Sequence, residues 1–328
     1  MVFTFVEILA LFSKGFKVLF EPYFDTGKKI SPMIQLVCLD SSLAFKTLIS
    51  VTGSIVLTSG TMTPLDLYSR LLNLPNVTAI SIEPSRNSKN ISPLIVTKAN
   101  DQSSLTTQFS ERGNDIVNKN YGELLLELAR VVPDGIVVFF PSYSLMEEIL
   151  TEWNKLAIIE EILKHKLMFV ETKDLTQTAD SLKNYKDAIE RGRGGIFVSV
   201  ARGKIAEGVD FKDHLGRCVL VIGIPFQYTK SRALFCRTEY LEKYFNVSPK
   251  DFIVFDAMRQ VAQCLGRVIR GKDDYGIMIL ADKRYTSEKI EALPKWIKSF
   301  LKVENSDLQT NLLSVIVRKY FVQMAQDD

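Results

Sequence analysis

The feature that most constrains the fold is an alternation of short apolar runs with helical segments of ten or more residues, between about Asn114 and Asp282. The apolar runs read IVVFF, LMFVE, IFVSV, RCVLVIGI and YGIMILAD. Runs that are apolar on both faces are typical of buried parallel strands, and the segments between them are long enough to form right-handed crossovers. The alternation therefore predicts an α/β fold in three layers, a parallel sheet with helices on both faces.

Composition excludes several classes of protein. The 328 residues are 46% apolar, which suffices for a large core, and a net charge of +3 gives no global field that would argue for nucleic acid. The cysteines are scattered without a CxxC pair, which predicts no metal site and reduced core thiols in an intracellular protein. The N-terminal FTFVEILALF is too short for a membrane span and lacks signal-peptide flanks, so it predicts a core helix.

The domain boundaries follow from the same pass along the chain. We expect an N-terminal helix and hairpin over residues 1–48, the sheet domain over residues 49–301, and an amphipathic C-terminal tail over residues 302–328. Within the sheet domain, SIVLTSG at residues 54–60 predicts a further buried parallel strand. Residues 75–103 are rich in Pro, Ser and Asn, which predicts a loop with one or two short strands.

A helix is predicted over Asp256–Lys272, because its apolar residues recur at helical spacing. Gln263, Arg267 and Arg270 are separated by four and three residues, which places all three on one helical face. A glutamine can contact a base edge, and planar guanidinium groups present donors to phosphate oxygens. The pattern by itself fits a triphosphate site or an amphipathic helix with solvated arginines.

Two further segments follow predicted strands, where ligands of parallel sheets gather. Thr58, Ser59, Gly60 and Thr61 offer hydroxyls and backbone amides to a phosphate at the start of a helix. An ordinary strand-to-helix turn is the alternative.

The other segment is Ser199–Phe211, SVARGKIAEGVDF. Arg202 and Lys204 flank a glycine that allows close approach of backbone to a ligand. Glu207 and Asp210, which flank Gly208 later in the segment, could polarise hydroxyls or water. A solvated charged loop is the alternative.

The stretch Gly266–Asp273, GRVIRGKD, matches GxxxxGK but lacks the Ser or Thr that would hold magnesium. It also ends a predicted helix, where a phosphate-binding loop would begin one. The sequence contains no GxxxxGK[ST] and no Asp-Glu pair that closes an apolar strand. The chain thus has arginines for a triphosphate without a cradle for it.

Five segments carry a specific resemblance. TSGTMTP, VVPDGIVVFFPSY, SVARGKIAEGVDF, GIPFQYTKSRAL and QCLGRVIRGKDDYG resemble, in order, the C-terminal half of the XPD/Rad3-type DNA helicases of TFIIH, in the superfamily 2 iron–sulfur group. The similarity extends over residues from about 5 to 301. It implies a RecA-like fold, namely the second helicase motor domain.

The resemblance also implies residue roles. Arg267 and Arg270 would reach the ATP phosphates and act in catalysis, and Gln263 would help to sense the nucleotide. The loop residues Glu207, Gly208 and Asp210 would couple the nucleotide state to DNA. The implied single-stranded DNA contacts are Thr58, Ser59, Gly60, Thr61, Ser142, Tyr143 as a stacking surface, Arg202, Lys204 and Arg284.

The implied function is that of an ATP-dependent 5′ to 3′ DNA helicase in nucleotide excision repair and transcription, located in the nucleus. ATP and Mg²⁺ would be shared with a first helicase domain, and the iron–sulfur cluster of the family would lie outside this chain. Implied partners are single-stranded DNA, the first helicase domain and a regulatory subunit of TFIIH, with no membrane contact.

Because the Walker A loop and DEAH box of the family are not in this sequence, we expect the chain alone not to hydrolyse ATP. The alternative function is a non-catalytic docking or scaffold subunit of TFIIH, against which the retained arginines argue mildly. A generic nucleotide-binding α/β protein is a third interpretation, favoured only by the GxxxxGK match.

Overall fold

The computed structural model of the chain describes residues 14–21, 24–25, 28–29, 32–82, 90–267 and 274–326. The predicted N-terminal helix, the hairpin turn near residue 26, Arg270 and most of the GxxxxGK stretch lie outside these residues. None of the helices in the described ranges is both long and apolar enough to cross a membrane.

The chain divides into two compact units. The first comprises Met1–Ile80 and Phe226–Asp256, and the second comprises Ser81–Pro225 and Ala257–Asp328. This division differs from the predicted boundaries at residues 48 and 301, because a segment from later in the chain, Phe226–Asp256, belongs to the first unit.

The described strands and helices are listed here in chain order. The strands are β1 (Phe16–Glu21), β2 (Phe24–Asp25), β3 (Lys28–Lys29), β4 (Met33–Cys38), β5 (Ile91–Lys98), β6 (Gly135–Phe140), β7 (Leu167–Val170), β8 (Gly195–Val200), β9 (Cys218–Ile222), β10 (Gly276–Ala281) and β11 (Leu308–Gln309). The α-helices are Leu43–Val51, Leu65–Leu71, Asp115–Val131, Tyr143–Lys155, Ile158–His165, Leu175–Glu190, Lys204–Gly208, Arg232–Phe245, Pro249–Leu265, Ser287–Glu291, Lys295–Lys298 and Thr310–Met324.

The second unit contains a seven-stranded sheet in the order β11-β5-β10-β9-β6-β8-β7. Every pairing in it is parallel. Every residue of β6, β8, β9 and β10 is buried, which explains why these strands read as uninterrupted apolar runs. The predicted α/β class with a parallel RecA-like sheet is confirmed.

Helices cover both faces of this sheet. On one face the helices Asp115–Val131 and Thr310–Met324 share a large apolar cluster with the strands. On the other face Tyr185 contacts the rings of Phe169 and Phe197, with centroids 6.0 and 5.5 Å apart. The predicted C-terminal tail thus supplies a helix to the core, and β11 joins the sheet beside β5.

One strand prediction within residues 54–103 is wrong, and another underestimates the length of its strand. The run SIVLTSG forms no strand, and Val56 is 86% exposed, because β-branched residues pair only where a neighbouring strand covers them. In contrast, β5 is a strand of eight residues in the stretch predicted to be a loop with one or two short strands. Its Pro93 is tolerated because β10 pairs along Ile91–Val96, whereas β11 pairs only near the far end of β5.

The first unit contains the predicted antiparallel strand pair and its own helices. β1 pairs with β4 from Phe16 opposite Cys38 to Glu21 opposite Met33. Leu19 of β1 packs against the helix Arg232–Phe245. A separate apolar cluster joins that helix to neighbouring ones through Leu67, Leu71, Leu234, Leu241, Val247, Phe252 and Phe255.

Candidate functional site

Three neighbouring strands end side by side in the second unit, and polar residues follow each of them. β6, β8 and β7 are adjacent and parallel, so their carboxyl ends share one edge of the sheet. β6 is followed by Ser142 and Tyr143, β7 by Glu171, and β8 by the segment Ala201–Phe211. The sheet therefore brings two predicted segments together and adds a carboxylate that the sequence analysis did not single out.

The Glu171 carboxylate lies at the centre of this edge and is 1% exposed. Its Oε1 accepts hydrogen bonds from the Tyr143 hydroxyl at 2.8 Å and from the Lys204 backbone N–H at 3.0 Å. Its Oε2 accepts hydrogen bonds from the Ser199 hydroxyl at 2.5 Å and from the Val200 backbone N–H at 3.2 Å. A buried carboxylate is stable only when donors satisfy both oxygens, and here they do.

Apolar side chains anchor the segment Ala201–Phe211. Ile205 and Ala206 are buried on the inner side of its short helix, at 4% and 0% exposure. The ring of Phe211 is fully buried and lies 5.8 Å from that of Phe197 in β8. These contacts fix the backbone of a charged loop that would otherwise be free to move.

The two predicted basic DNA contacts of this segment differ in exposure. Arg202 is half-buried, and its Nε and Nη2 donate to the Pro225 carbonyl at 3.2 and 2.8 Å. Lys204 is exposed, and its Nζ donates to the Lys173 carbonyl at 3.1 Å. The Lys204 ammonium is accessible to a phosphate, whereas the Arg202 guanidinium supports the backbone after β9.

Ser142 and Tyr143 begin the helix Tyr143–Lys155. The Ser142 hydroxyl caps this helix by accepting a backbone N–H of the first turn at 3.3 Å. The Tyr143 ring is half-buried, with Lys173 Nζ 5.8 Å from its centroid. Burial and the hydrogen bond to Glu171 raise the pKa of Tyr143, so its hydroxyl remains a donor at neutral pH.

Arg267, which comes after the helix Pro249–Leu265, contacts the segment Ala201–Phe211. Its Nη1 lies 3.2 Å from Asp210 Oδ1, and its Nη2 donates to the Glu207 carbonyl at 3.1 Å. Its own carbonyl accepts the Phe211 N–H at 2.9 Å. Its Nε is buried and has no hydrogen-bond partner among the residues the structure describes. Gly208 is exposed, with no atom within 4 Å of the position a Cβ would take.

The helix that leads to Arg267 differs from its prediction. It runs over Pro249–Leu265 rather than Asp256–Lys272, because a glycine-containing turn ends it. Gln263 lies in the last helical turn and is half-buried, whereas Arg267 lies in the turn that follows. The predicted alignment of these side chains on one helical face is therefore wrong for Arg267.

Arg284 is the remaining predicted DNA contact of the second unit. Its Nε and Nη2 donate to the two oxygens of fully buried Asp282 at 2.8 and 2.7 Å, and Nη2 also donates to Thr107 Oγ1 at 2.7 Å. This bidentate pair connects the end of β10 to the segment after β5. The geometry favours a structural role, and contact with DNA remains a prediction.

The segment Thr58–Thr61 belongs to the first unit and carries few contacts of its own. The Ser59 hydroxyl lies 3.2 Å from Thr61 Oγ1 and accepts the Thr61 N–H at 3.2 Å. Gly60 has no atom within 4 Å of a Cβ position. These residues remain predicted DNA contacts.

Among the described residues, no group of three or more His, Cys, Asp or Glu side chains is placed to hold a metal ion. Burial raises the pKa of the Cys218 and Cys264 thiols, which keeps them protonated and poorly nucleophilic.

Two carboxylates that organise the site were missed by sequence reasoning, namely Glu171 and Asp282. Each directly follows an apolar strand, in LMFVE and IMILAD. That position was the available signal, since polar residues at the carboxyl end of a parallel strand point to a site.

Comparisons with known proteins find relatives that are named as helicase subunits. The family described as helicase C-terminal domain matches residues 125–300. The chain is 46% identical over 324 residues to the general transcription and DNA repair factor IIH helicase subunit XPD of Arabidopsis thaliana, covering 98% of this chain and 43% of that protein. It is 44% identical over 324 residues to the XPD/RAD3 subunit of Saccharomyces cerevisiae, covering 98% of this chain and 42% of that protein.

A solved structure, that of S. tokodaii Xpd4, matches with a TM-score of 0.59 at 19% identity, covering 84% of this chain and 49% of that one. This likeness shows the shared fold. The chain spans less than half the length of the curated relatives above. The predicted resemblance to the C-terminal half of XPD/Rad3-type helicases is confirmed. Because the family match spans more than half of the chain, the chain belongs to the helicase C-terminal domain family.

Proposed function

We propose that the chain is the second motor domain of an ATP-dependent 5′ to 3′ DNA helicase that acts in transcription and nucleotide excision repair. One observation carries the proposal: Arg267 contacts Glu207 and Asp210. These two residues lie on the loop that follows β8, at the carboxyl edge of the RecA-like sheet. The sequence supplies this arginine without a GxxxxGK[ST] cradle. The relatives described above are named as helicase subunits of factor IIH.

The residues present fit one side of a nucleotide site. A guanidinium supplies charged N–H donors to triphosphate oxygens, and Arg267 carries such a group. Gln263, four residues earlier in the sequence, carries a half-buried amide. Arg270 is proposed to add a second guanidinium. ATP supplies the transferred phosphoryl group, and Mg²⁺ and the phosphate cradle would come from a first motor domain. The residues of this chain would hold and neutralise phosphate charge, and Glu207, Gly208 and Asp210 would couple the nucleotide state to the DNA contacts.

Single-stranded DNA is the proposed substrate. Lys204 presents a cation to the phosphates, and the helix that Ser142 caps presents its N-terminus to them. The half-buried Tyr143 ring would offer a stacking surface. From the first unit, Thr58–Thr61 would add hydroxyl and amide donors. Binding through phosphate contacts predicts weak affinity that falls steeply with added salt.

A second candidate function is docking within TFIIH, and one observation favours it. On the helix Thr310–Met324, Leu312, Val315 and Val322 are 50%, 63% and 52% exposed, while the opposite face is buried in the core. Exposed apolar residues on one helix are typical of partner contacts. We propose a regulatory TFIIH subunit as the partner and the nucleus as the location. Serine at these three positions should weaken capture of that subunit while ATP hydrolysis by the assembled motor is unchanged.

The motor proposal is tested by measuring ATP hydrolysis and DNA binding on the same preparation. The chain alone should bind an oligothymidylate at low salt, lose it as salt rises, and hydrolyse no ATP. Hydrolysis by the chain alone that disappeared in an Arg267→Ala variant would contradict the assignment to a second motor domain. Binding that did not respond to salt, or no binding at low salt, would favour the docking function.

A further inference from the structure

The buried carboxylate of Glu171 has no role in the proposed function, yet it joins the segments that follow β6 and β8. Tyr143 donates to it from the first segment, and the Lys204 N–H donates to it from the second. We infer that Glu171 is a positioning residue that fixes the single-strand contacts at residues 142–143 and 202–204 relative to each other. This inference rests on the proposed binding of single-stranded DNA.

The hydrogen bond to the Lys204 N–H explains how a buried residue can place an exposed cation. Lys204 opens the helix Lys204–Gly208, so its N–H has no carbonyl partner within that helix. Glu171 Oε1 accepts this N–H at 3.0 Å and so fixes where the helix begins. The side chain of Lys204 then leaves a fixed backbone and reaches the surface, where its Nζ lies 3.1 Å from the Lys173 carbonyl.

The pattern of donors requires a carboxylate rather than an amide. Each oxygen of Glu171 accepts one hydroxyl and one backbone N–H, the latter from Val200 and Lys204. A hydroxyl can turn to accept a hydrogen bond, but a backbone N–H can only donate. In a Glu171→Gln variant the NH₂ group would face one of these two N–H groups in either orientation. The isosteric change therefore breaks the network while preserving its volume.

The close approach of the loop backbone supports the same assignment. A Cβ added at Gly203 would lie 2.6 and 2.7 Å from the two carboxylate oxygens of Glu171. The glycine thus lets the backbone before Lys204 pass directly over the carboxylate. A residue that only filled the core would not need this contact.

The test compares Glu171→Gln with a matched control, Glu147→Gln, in the full chain. Glu147 is exposed and lies 3.8 Å from Lys173 Nζ, so its substitution removes a charge from the same surface without touching the network. Amide hydrogen exchange and the anisotropy of a labelled oligothymidylate are measured for each. Glu171→Gln should speed exchange over residues 200–208 and weaken DNA binding about tenfold, with the far-UV circular dichroism unchanged. Glu147→Gln should change binding less than about twofold.

A Lys204→Ala background separates positioning from general destabilisation. If Glu171 acts by placing Lys204 and its neighbours, Glu171→Gln should cost much less affinity in that background than in the unsubstituted chain. An equal loss in both backgrounds, or unchanged exchange over residues 200–208, would overturn the inference. If the unsubstituted chain bound no DNA, the proposed function would fail instead. The exchange measurement alone would then decide whether Glu171 holds the loop.

Discussion

The segments Ala201–Phe211 and Thr58–Thr61 have the same predicted task, yet the structure builds them differently. The first follows β8, donates the Lys204 N–H to the buried Glu171 carboxylate and ends in a fully buried phenylalanine. The second follows no strand, and Val56 just before it is 86% exposed. The contrast teaches that the end of a buried parallel strand fixes a loop through core contacts. A local pattern of hydroxyls and glycine does not supply such contacts.

The largest expected difference between the two segments concerns their apolar neighbours. Phe211→Ala should lower the free energy of unfolding by about 3–5 kcal/mol, because it empties a fully buried site beside Phe197. Val56→Ala should change it by less than about 0.5 kcal/mol, because that side chain is solvated. Urea unfolding followed by far-UV circular dichroism measures both. Similar losses for the two variants would show that the segments are anchored alike.

A smaller difference is expected at the glycines. Gly203→Ala places a Cβ against the Glu171 oxygens and should cost about 1–3 kcal/mol, with weaker DNA binding. Gly60→Ala meets no atom within 4 Å and should leave stability nearly unchanged. Gly208→Ala is the control inside the first loop, since its Cβ position is also open. Thermal unfolding and oligothymidylate binding of the three variants check this. A neutral Gly203→Ala would contradict the close-packed loop.

The smallest effect is a pH dependence that arises away from the loop, at the amino end of β7. Lys166 is 5% exposed, and burial lowers its pKa from 10.5 to about 8. The unfolded chain therefore binds more protons between these values, so stability rises with pH through that window. Between pH 7 and pH 8.5 the gain should be below about 1 kcal/mol.

The Lys166 effect sharpens the comparison because it changes the stability of the sheet unit and leaves the loop in place. Chemical unfolding at several pH values should show the rise in the parent chain and in Lys164→Met, which alters an exposed lysine. Lys166→Met should abolish it. A Gly203→Ala binding defect that disappeared at the higher pH would indicate that the defect came from lost stability rather than from loop geometry.

How much of the fold could be predicted depended on burial. The strands β6, β8, β9 and β10 read as apolar runs because both of their faces are covered, and the helices between the strands supplied the topology. β5 was predicted only as a short strand within a loop, because Pro93 and nearby polar residues disguise the length of a strand whose outer neighbour is short. The strand predicted at residues 54–60 is absent, because β propensity reflects packing against neighbouring strands and this segment has no such neighbours among the described residues.

The candidate site was predictable in its segments and not in its organisation. The loops after β6 and β8 were identified from their charged and hydroxyl residues, and the sheet brings them together. Glu171 was missed because a glutamate after a strand is usually solvated, and only the fold shows the donors that surround it. The position of Arg267 in a turn depended on where the helix ends, which spacing alone does not determine.

The central claim is that this chain supplies a phosphate-facing arginine to a site that another domain completes. The direct test is DNA-stimulated ATP hydrolysis by the chain assembled with a P-loop first motor domain. Arg267→Ala should lower turnover on the order of a thousandfold, and Arg267→Lys should not restore it because an ammonium lacks the planar fork. Arg130→Ala, at an exposed arginine paired with Glu127, should leave turnover unchanged. Full turnover by the Arg267→Ala assembly would contradict the claim.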